Sequence, residues 1–199
     1  MPLTLVTAPD GAAVLATDIK TQSRVEIDDE DEWLETFVVP AVHQRAQDAT
    51  RRQLLSATRD LIMDGFPCWN VIEMPRPPLL TVVFIKYVDT AGTLQTWAAD
   101  QYLVQAVEAP IEPRCRRGRI TPAYGVSWPS TRPQMGAVTI RFTCGYGAEA
   151  EDVPILLRKA MLMDARGLVE RGDAEPKGSA GLIYWRYRSW AKYPIPGIE

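Results

Sequence analysis

The chain has very little of what catalysis usually needs. It holds one histidine in 199 residues, His43, and three widely spaced cysteines, Cys68, Cys115 and Cys144. A lone histidine without HExxH spacing excludes the common zinc-protease pattern, and the best reading of His43 is an ordinary helix-surface residue. An odd cysteine count with no CxxC pair excludes a regular disulfide framework and a cysteine zinc cluster, and fits a reducing compartment. No GxSxG elbow and no Walker loop occur; Gly178–Gly181 only loosely imitates the latter. Asp28–Glu32 lacks the glycine and alternating ligands of a calcium loop. We therefore expect no enzyme activity, no cofactor and no metal site.

Long apolar runs are also missing. Stretches such as Leu79–Ile85 are far too short to span a bilayer, and the opening MPLTLVTAPDG has no basic n-region. The expectation is a protein made in the cytoplasm with no membrane partner. Net charge is only −3, which nominates neither nucleic acid nor an anionic surface. Its distribution is uneven. Residues 1–50 carry 3 basic and 10 acidic side chains, residues 51–156 carry 11 and 10, and residues 157–199 carry 8 and 5. An acidic head and a basic tail suit head-to-tail subunit contacts, and solvated surface explains them equally well.

What the chain does have is order. Residues 14–24 are expected to form a short helix, with Thr17 or Asp18 near its start. A stronger helix begins after the five acids Asp28–Glu32, which sit at the positive end of its macrodipole, with Arg51 and Arg52 at the other end. Trp33, Leu34, Phe37, Val38, Ala41 and Val42 recur at helical spacing, and Pro40 among them predicts a kink or break. From Thr58 the period changes to that of strands. Leu61–Met63 runs into the turn Asp64-Gly65-Phe66-Pro67, and Val71–Met74 precedes a proline-rich corner, Pro75–Leu79. Thr81–Val88 is β-branched and aromatic throughout, and Asp89–Gly92 is expected to fold it back on Leu94–Trp97. Tyr102–Val107 and Ala137–Cys144 are further strands, the second with one buried and one wet face. Asp152 is expected to cap a helix with Pro154 in its first turn, with an apolar face that includes Leu156, Leu157, Ala160, Met161 and Leu168. Residues 172–181 read as a flexible linker, and Leu182–Tyr193 holds five of the chain's 17 aromatics.

Two features invite a functional reading. Arg114, Arg116, Arg117 and Arg119 place four guanidinium groups within six residues, as a sequence-blind phosphate contact or as a solvated hairpin tip and intersubunit salt bridges. Tyr184, Trp185, Arg186, Tyr187, Arg188, Trp190 and Tyr193 interleave aromatics with cations. Such a tail stacks on bases, anchors a protein interface or packs on its own domain; the linker ahead of it favours partner binding.

The ordered set resembles the head–tail connector (adaptor) family of long-tailed bacteriophages, prophages and gene transfer agents. Leu5–Pro9 is similar to that family's N-terminal strand, Asp28–Leu34 to the acidic approach to its long helix, and Thr50–Leu54 with Leu61–Pro67 to the helix exit and following turn. Pro75–Leu79, the Tyr87–Gln95 hairpin, Gly118–Ile120, Trp128-Pro129, Gly136–Gly147 and Val153–Leu157 follow in order, so that residues 3–171 are covered. Ser23 stands where leucine is expected, and Arg51 where glycine usually ends the long helix.

The resemblance implies an α+β fold: helices from both chain ends packed together, a central antiparallel β module and an extended C-terminal tail. The corresponding segments are 1–55 (helical), 56–149 (β module), 150–171 (C-terminal helix) and 172–199 (linker and docking tail). It further implies a virion structural protein at the head–tail junction of a phage-like particle. There it forms a twelve-fold homo-oligomeric ring under the portal, extends the channel for packaged double-stranded DNA and offers a surface to stopper or tail proteins. Under that reading the aromatic tail (Tyr184–Tyr193) is a candidate portal anchor and Arg114–Arg119 a candidate channel or neighbour contact. The alternative is a small nucleic-acid-binding module using the same arginines and tail.

Overall fold

A computed structural model describes residues 2–23, 31–106, 117–171 and 176–188. Strand β1 (Leu3–Thr7) leads to α1 (Ala16–Ser23), whose start is fixed locally: the Asp18 carboxylate accepts from the Leu15 amide, as the returning half of a capping box. Lys20 on α1 pairs with Asp31, one of the five acids expected at the next helix start; Asp28, Asp29 and Glu30 lie outside the described residues.

Pro40 neither breaks nor stops the second helix. Segment α2 (Asp31–Trp33), a π turn (Leu34–Val38) and α3 (Val39–Thr50) run on without interruption. Proline cannot donate to the carbonyl four residues back, and the ladder adapts one residue earlier, with Val39 N–H bonding the Leu34 carbonyl five residues back. The apolar stripe read from the sequence splits as well. Leu34, Val38, Val42 and Ala46 are buried, whereas Trp33 and Phe37 stack on each other on the exposed side, 6.2 Å between centroids. The helix ends at Arg51, which takes the left-handed conformation itself (φ 55°) where glycine would do so without strain.

The β module follows. A five-stranded antiparallel sheet has the order β1–β2–β8–β4–β5, with β2 Ala57–Met63, β4 Leu79–Val88, β5 Leu94–Trp97 and β8 Val138–Cys144. A three-stranded sheet, β3–β7–β6, is built from β3 Ile72–Glu73, β6 Tyr102–Gln105 and β7 Arg119–Pro122. The expected hairpin is present, with Val88 opposite Leu94 and Ile85 opposite Trp97. Asp89 closes its turn by accepting from the Ala91 and Thr93 amides, and the hydrogen bond from the Gln95 side-chain amide first, with these backbone bonds, holds its carboxyl below the usual range. Along β8 burial alternates at every residue.

Three of the sequence's turn motifs, at Asp64–Pro67, Trp128-Pro129 and Gly136, converge on one end of this module. Phe66 of the DGFP turn stacks on Trp128 of the Trp-Pro pair (4.9 Å) and leans on Trp97 (5.7 Å), which stacks on Tyr102 (5.3 Å). Asp64 accepts from the Gly136 amide at 2.8 Å, tying the turn to the start of the β8 segment. Buried apolar side chains from Leu61 to Cys144, contributed by both sheets, form one core.

A second core belongs to the helices. After a short turn at Ala150–Asp152, α4 (Ile155–Arg171) packs against α1 and α3, and α5 (Gly178–Tyr187) packs against α3 and α4. Asp152 does not cap α4. It is held in a reciprocal pair with Glu149 that caps the preceding turn, while the Pro154 carbonyl accepts the first bonds of the helix. The expected α+β arrangement, with helices from both chain ends packed together, is therefore the observed one. The C-terminal part differs: from Gly178 the chain is a docked helix, not a linker, because Ala180, Tyr184 and Tyr187 bury one face in the helical core.

The two cores meet where 54–56 runs beside 145–147. The Tyr146 amide donates to the Leu54 carbonyl (2.9 Å) and the Ser56 amide to the Gly147 carbonyl (2.7 Å). Gly145 has φ 132°, and a Cβ there would lie 2.6 Å from the Leu55 carbonyl, so both conformation and space require glycine.

Candidate interaction surfaces

Arg52 is fully buried at the joint between helices and sheet. Its Nε donates to the Tyr187 carbonyl at 2.6 Å and its Nη1 to the Tyr146 hydroxyl at 3.2 Å. A guanidinium at the C-terminal end of α5 meets the negative end of that helix's dipole, so the ion is matched by charge as well as by hydrogen bonds.

A second buried polar group joins three helices. Arg45 on α3 pairs with the buried Asp164 of α4 at 3.1 Å, and the Tyr184 hydroxyl of α5 lies beside that carboxylate. Burial first, and the neighbouring Asp164 charge second, push the Tyr184 phenol above its ordinary value. Asp164 gives no signal in the sequence, where it is one of six charged residues along α4. Along this junction α3 and α5 leave an open groove of about 580 Å³, lined among others by Ala41, Gln44, Asp48, Trp185 and Arg188.

The candidate docking residues thus divide. Tyr184 and Tyr187 face inward and serve the chain's own core. Trp185 and Arg186 are exposed, and Arg188 lines the groove. Trp190 and Tyr193 lie outside the described residues. Nothing in the LIYWRYR pattern marks which aromatics turn inward; the helical spacing of Ala180, Tyr184 and Tyr187 does, once 178–187 is read as a helix.

The arginine group divides too. Arg114 and Arg116 lie outside the described residues. Arg119 sits directly opposite Glu73 across β3 and β7 and reaches its buried carboxylate at 3.4 Å. Arg117 has its pKa lowered mainly by burial, with Glu73 the nearby charge opposing that shift. Two of the four cations therefore attend an internal carboxylate, because a buried Glu73 requires compensation.

His43 is not the free surface group expected of it. Its Nε2 accepts from the Ala13 amide at 2.7 Å, and burial lowers its pKa to about 4, so the imidazole is neutral and engaged. It borders a pocket of about 430 Å³ with Arg59 and Arg76, yet both arginines are already bonded, Arg59 to Gln53 and Arg76 to the Gln47 carbonyl and Asp48. The Cys144 thiol is buried and pushed up to about 12, too high for a thiolate nucleophile at neutral pH. Among the described residues no cluster of three or more His, Cys, Asp or Glu side chains is arranged to hold a metal ion.

On the outer face of the five-stranded sheet, Arg141 makes a two-pronged pair with Asp60 at 2.8 Å per bond, and Arg141 and Lys86 both lie over the Phe84 ring. The polar groups described here fasten elements together, and the exposed apolar residues include Leu5, Leu94 and Leu103 on edge strands, Trp33 and Phe37 on the second helix, and Trp185 beside the α3–α5 groove.

No protein-family model and no curated protein matches the chain. Solved structures do. A chain in the neck of the empty gene transfer agent particle, computed with C6 symmetry, aligns over 99% of both chains with 27% identity and a TM-score of 0.74. A chain of the native gene transfer agent virion aligns over 99% of both chains with 26% identity and a TM-score of 0.73. A chain of the native particle's neck, computed with C12 symmetry, aligns over the same extent with 27% identity and a TM-score of 0.68.

Proposed function

We propose that this chain, which belongs with the head–tail connector family of gene transfer agents and phages, is a structural subunit of the neck at the head–tail junction of such a particle. One observation carries the reading: the correspondence with a neck chain runs over 99% of both chains, so it includes helices, β module and C-terminal helix together and not one common module.

The finer reading is an adaptor. Subunits associate head to tail into a closed ring beneath the portal, the ring continues the DNA channel, and its far side receives a stopper or tail protein. The C6 and C12 symmetries of the matched necks support a ring, and twelve subunits are compatible with both. The portal-facing surface is drawn from the C-terminal helix, where exposed Trp185 and Arg186 remain available beside the α3–α5 groove. A structural role also accords with the use of the chain's polar groups as internal fasteners.

Imaging of assembled particles tests the reading. Density for this chain between portal and tail is the expected result, and its absence from that junction would overturn the proposal. The nucleic-acid-module alternative is not favoured, since Arg117 and Arg119 serve Glu73.

A further inference from the structure

Charge is distributed along the five-stranded sheet in the reverse of the usual order. Every strand with neighbours on both sides carries a charged side chain: Arg59 and Asp60 on β2, Arg141 on β8, Lys86 on β4 and Arg119 on β7. The two ends of the five-stranded sheet, β1 (LTLVT) and β5 (LQTW), carry none, and neither does β6 (YLVQ) at one end of the smaller sheet. None of these three strands contains proline. Soluble proteins normally place lysine, proline or inward charges on edge strands, because an open row of amides and carbonyls recruits another strand. Here the edges expose leucine instead: Leu5 on β1 is 46% exposed, Leu94 on β5 63% and Leu103 on β6 61%.

The two unguarded ends of the larger sheet are unlike each other and point in opposite directions, about 19 Å apart across four strand spacings. We propose that the β1 edge of one copy lies against the β5 edge of the next, so that main-chain groups pair across the subunit boundary and the sheet continues from subunit to subunit. The proposal rests on the ring reading above and names the surfaces that ring would use. A second copy is the occupant because a different partner would cover one edge and leave the other open. Identical chains associating head to tail cover both, and do so in every subunit once the ring closes. The strands match in length, five residues and four, and in their uncharged, leucine- and threonine-containing make-up. Leu103 on β6, which follows β5 after the turn Ala99–Gln101, is likewise exposed. Main-chain pairing would supply the affinity and the leucines would seal it from water.

The test uses assembled particles carrying Leu5→Cys and Leu94→Cys together in a Cys68→Ser, Cys115→Ser background, treated with a short bis-maleimide linker. A ladder of covalent multimers on a denaturing gel is expected from the double variant, and none from either single variant. A chain present in the necks but uncross-linked would overturn this inference alone; a chain absent from the necks would overturn the neck reading with it. A second variant, Leu94→Lys, is expected to leave the melting temperature of the free chain unchanged and to abolish its incorporation as a ring. Normal necks built from Leu94→Lys protein would overturn the proposal.

Discussion

Arg52 and Tyr187 are 135 residues apart in sequence, and the buried guanidinium of the first donates to the main-chain carbonyl of the second at 2.6 Å. This bond closes the helical layer, because Tyr187 ends the last described helix and Arg52 follows the end of α3.

Arg52→Met should therefore act on α5 before anything else. Truncating one partner of a buried, charge-assisted contact typically costs about 3 kcal/mol. Denaturant titration should register that loss, and hydrogen exchange should show the amides of 178–187 losing protection first. Arg52→Lys should fall between, since one ammonium cannot reach Tyr187 and Tyr146 in the fork geometry of a guanidinium. Equal protection of α5 in Arg52→Met and wild type would contradict this assignment.

The Arg45–Asp164 pair should be more sensitive at one partner than the geometry of a surface ion pair would suggest. Asp164→Leu leaves Arg45 without its carboxylate, at a cost of about 3–5 kcal/mol, whereas Tyr184→Phe should cost about 1 kcal/mol. A double-mutant cycle between positions 164 and 184 reads their coupling directly. A coupling of zero would remove Tyr184 from this group.

His43 should make the fold acid-sensitive in a defined window. Its folded pKa, about 4, lies below the ordinary 6.5, so the unfolded chain takes up a proton first as pH falls. The contribution is complete above the ordinary value, declines as pH drops toward about 4, and is constant below. A depression of this size corresponds to at most about 3 kcal/mol. His43→Gln keeps an acceptor for the Ala13 amide without titrating. The difference in stability between wild type and His43→Gln should therefore shift across that window and be flat outside it.

Arg119→Ala separates an internal role from a nucleic-acid role. It leaves the buried Glu73 with less compensation, and a loss of about 1–3 kcal/mol of stability is expected. If stability is unchanged while salt-dependent DNA binding falls, Arg119 belongs to a nucleic-acid surface instead.

Much of the β module was legible because its signals are local. Asp89 and Gly92 specify a turn, β-branched runs specify strands, and strict alternation from Val138 to Cys144 specifies a half-buried strand. Short β7 was read only as a turn mark at Gly118-Arg119-Ile120, since four residues carry too little period to declare themselves. Helix α5 was hidden for a different reason. Gly178, Gly181 and the polar GDAEPKGSAG segment read as a linker, and only burial of Tyr184 and Tyr187 by distant helices makes 178–187 worth ordering. Trp33 and Phe37 stand at the same spacing of four as the buried Leu34, Val38 and Val42, so only the packing of distant α4 on one side decides which row is covered. Asp164 and Glu73 were invisible as buried carboxylates, because their partners Arg45 and Arg119 lie far away in sequence.

The two cores also differ in when they can be completed. All buried members of the β core lie between Leu61 and Cys144, whereas the helical core runs from Ala13 to Tyr187. During synthesis the β module holds everything its own interior needs once residue 144 has left the ribosome. The first helices must wait for α4 and α5 to cover them, and loop closure over that distance is slow. The nascent subunit thus has a folded middle and an unfinished beginning, and its last described helix is what seals it.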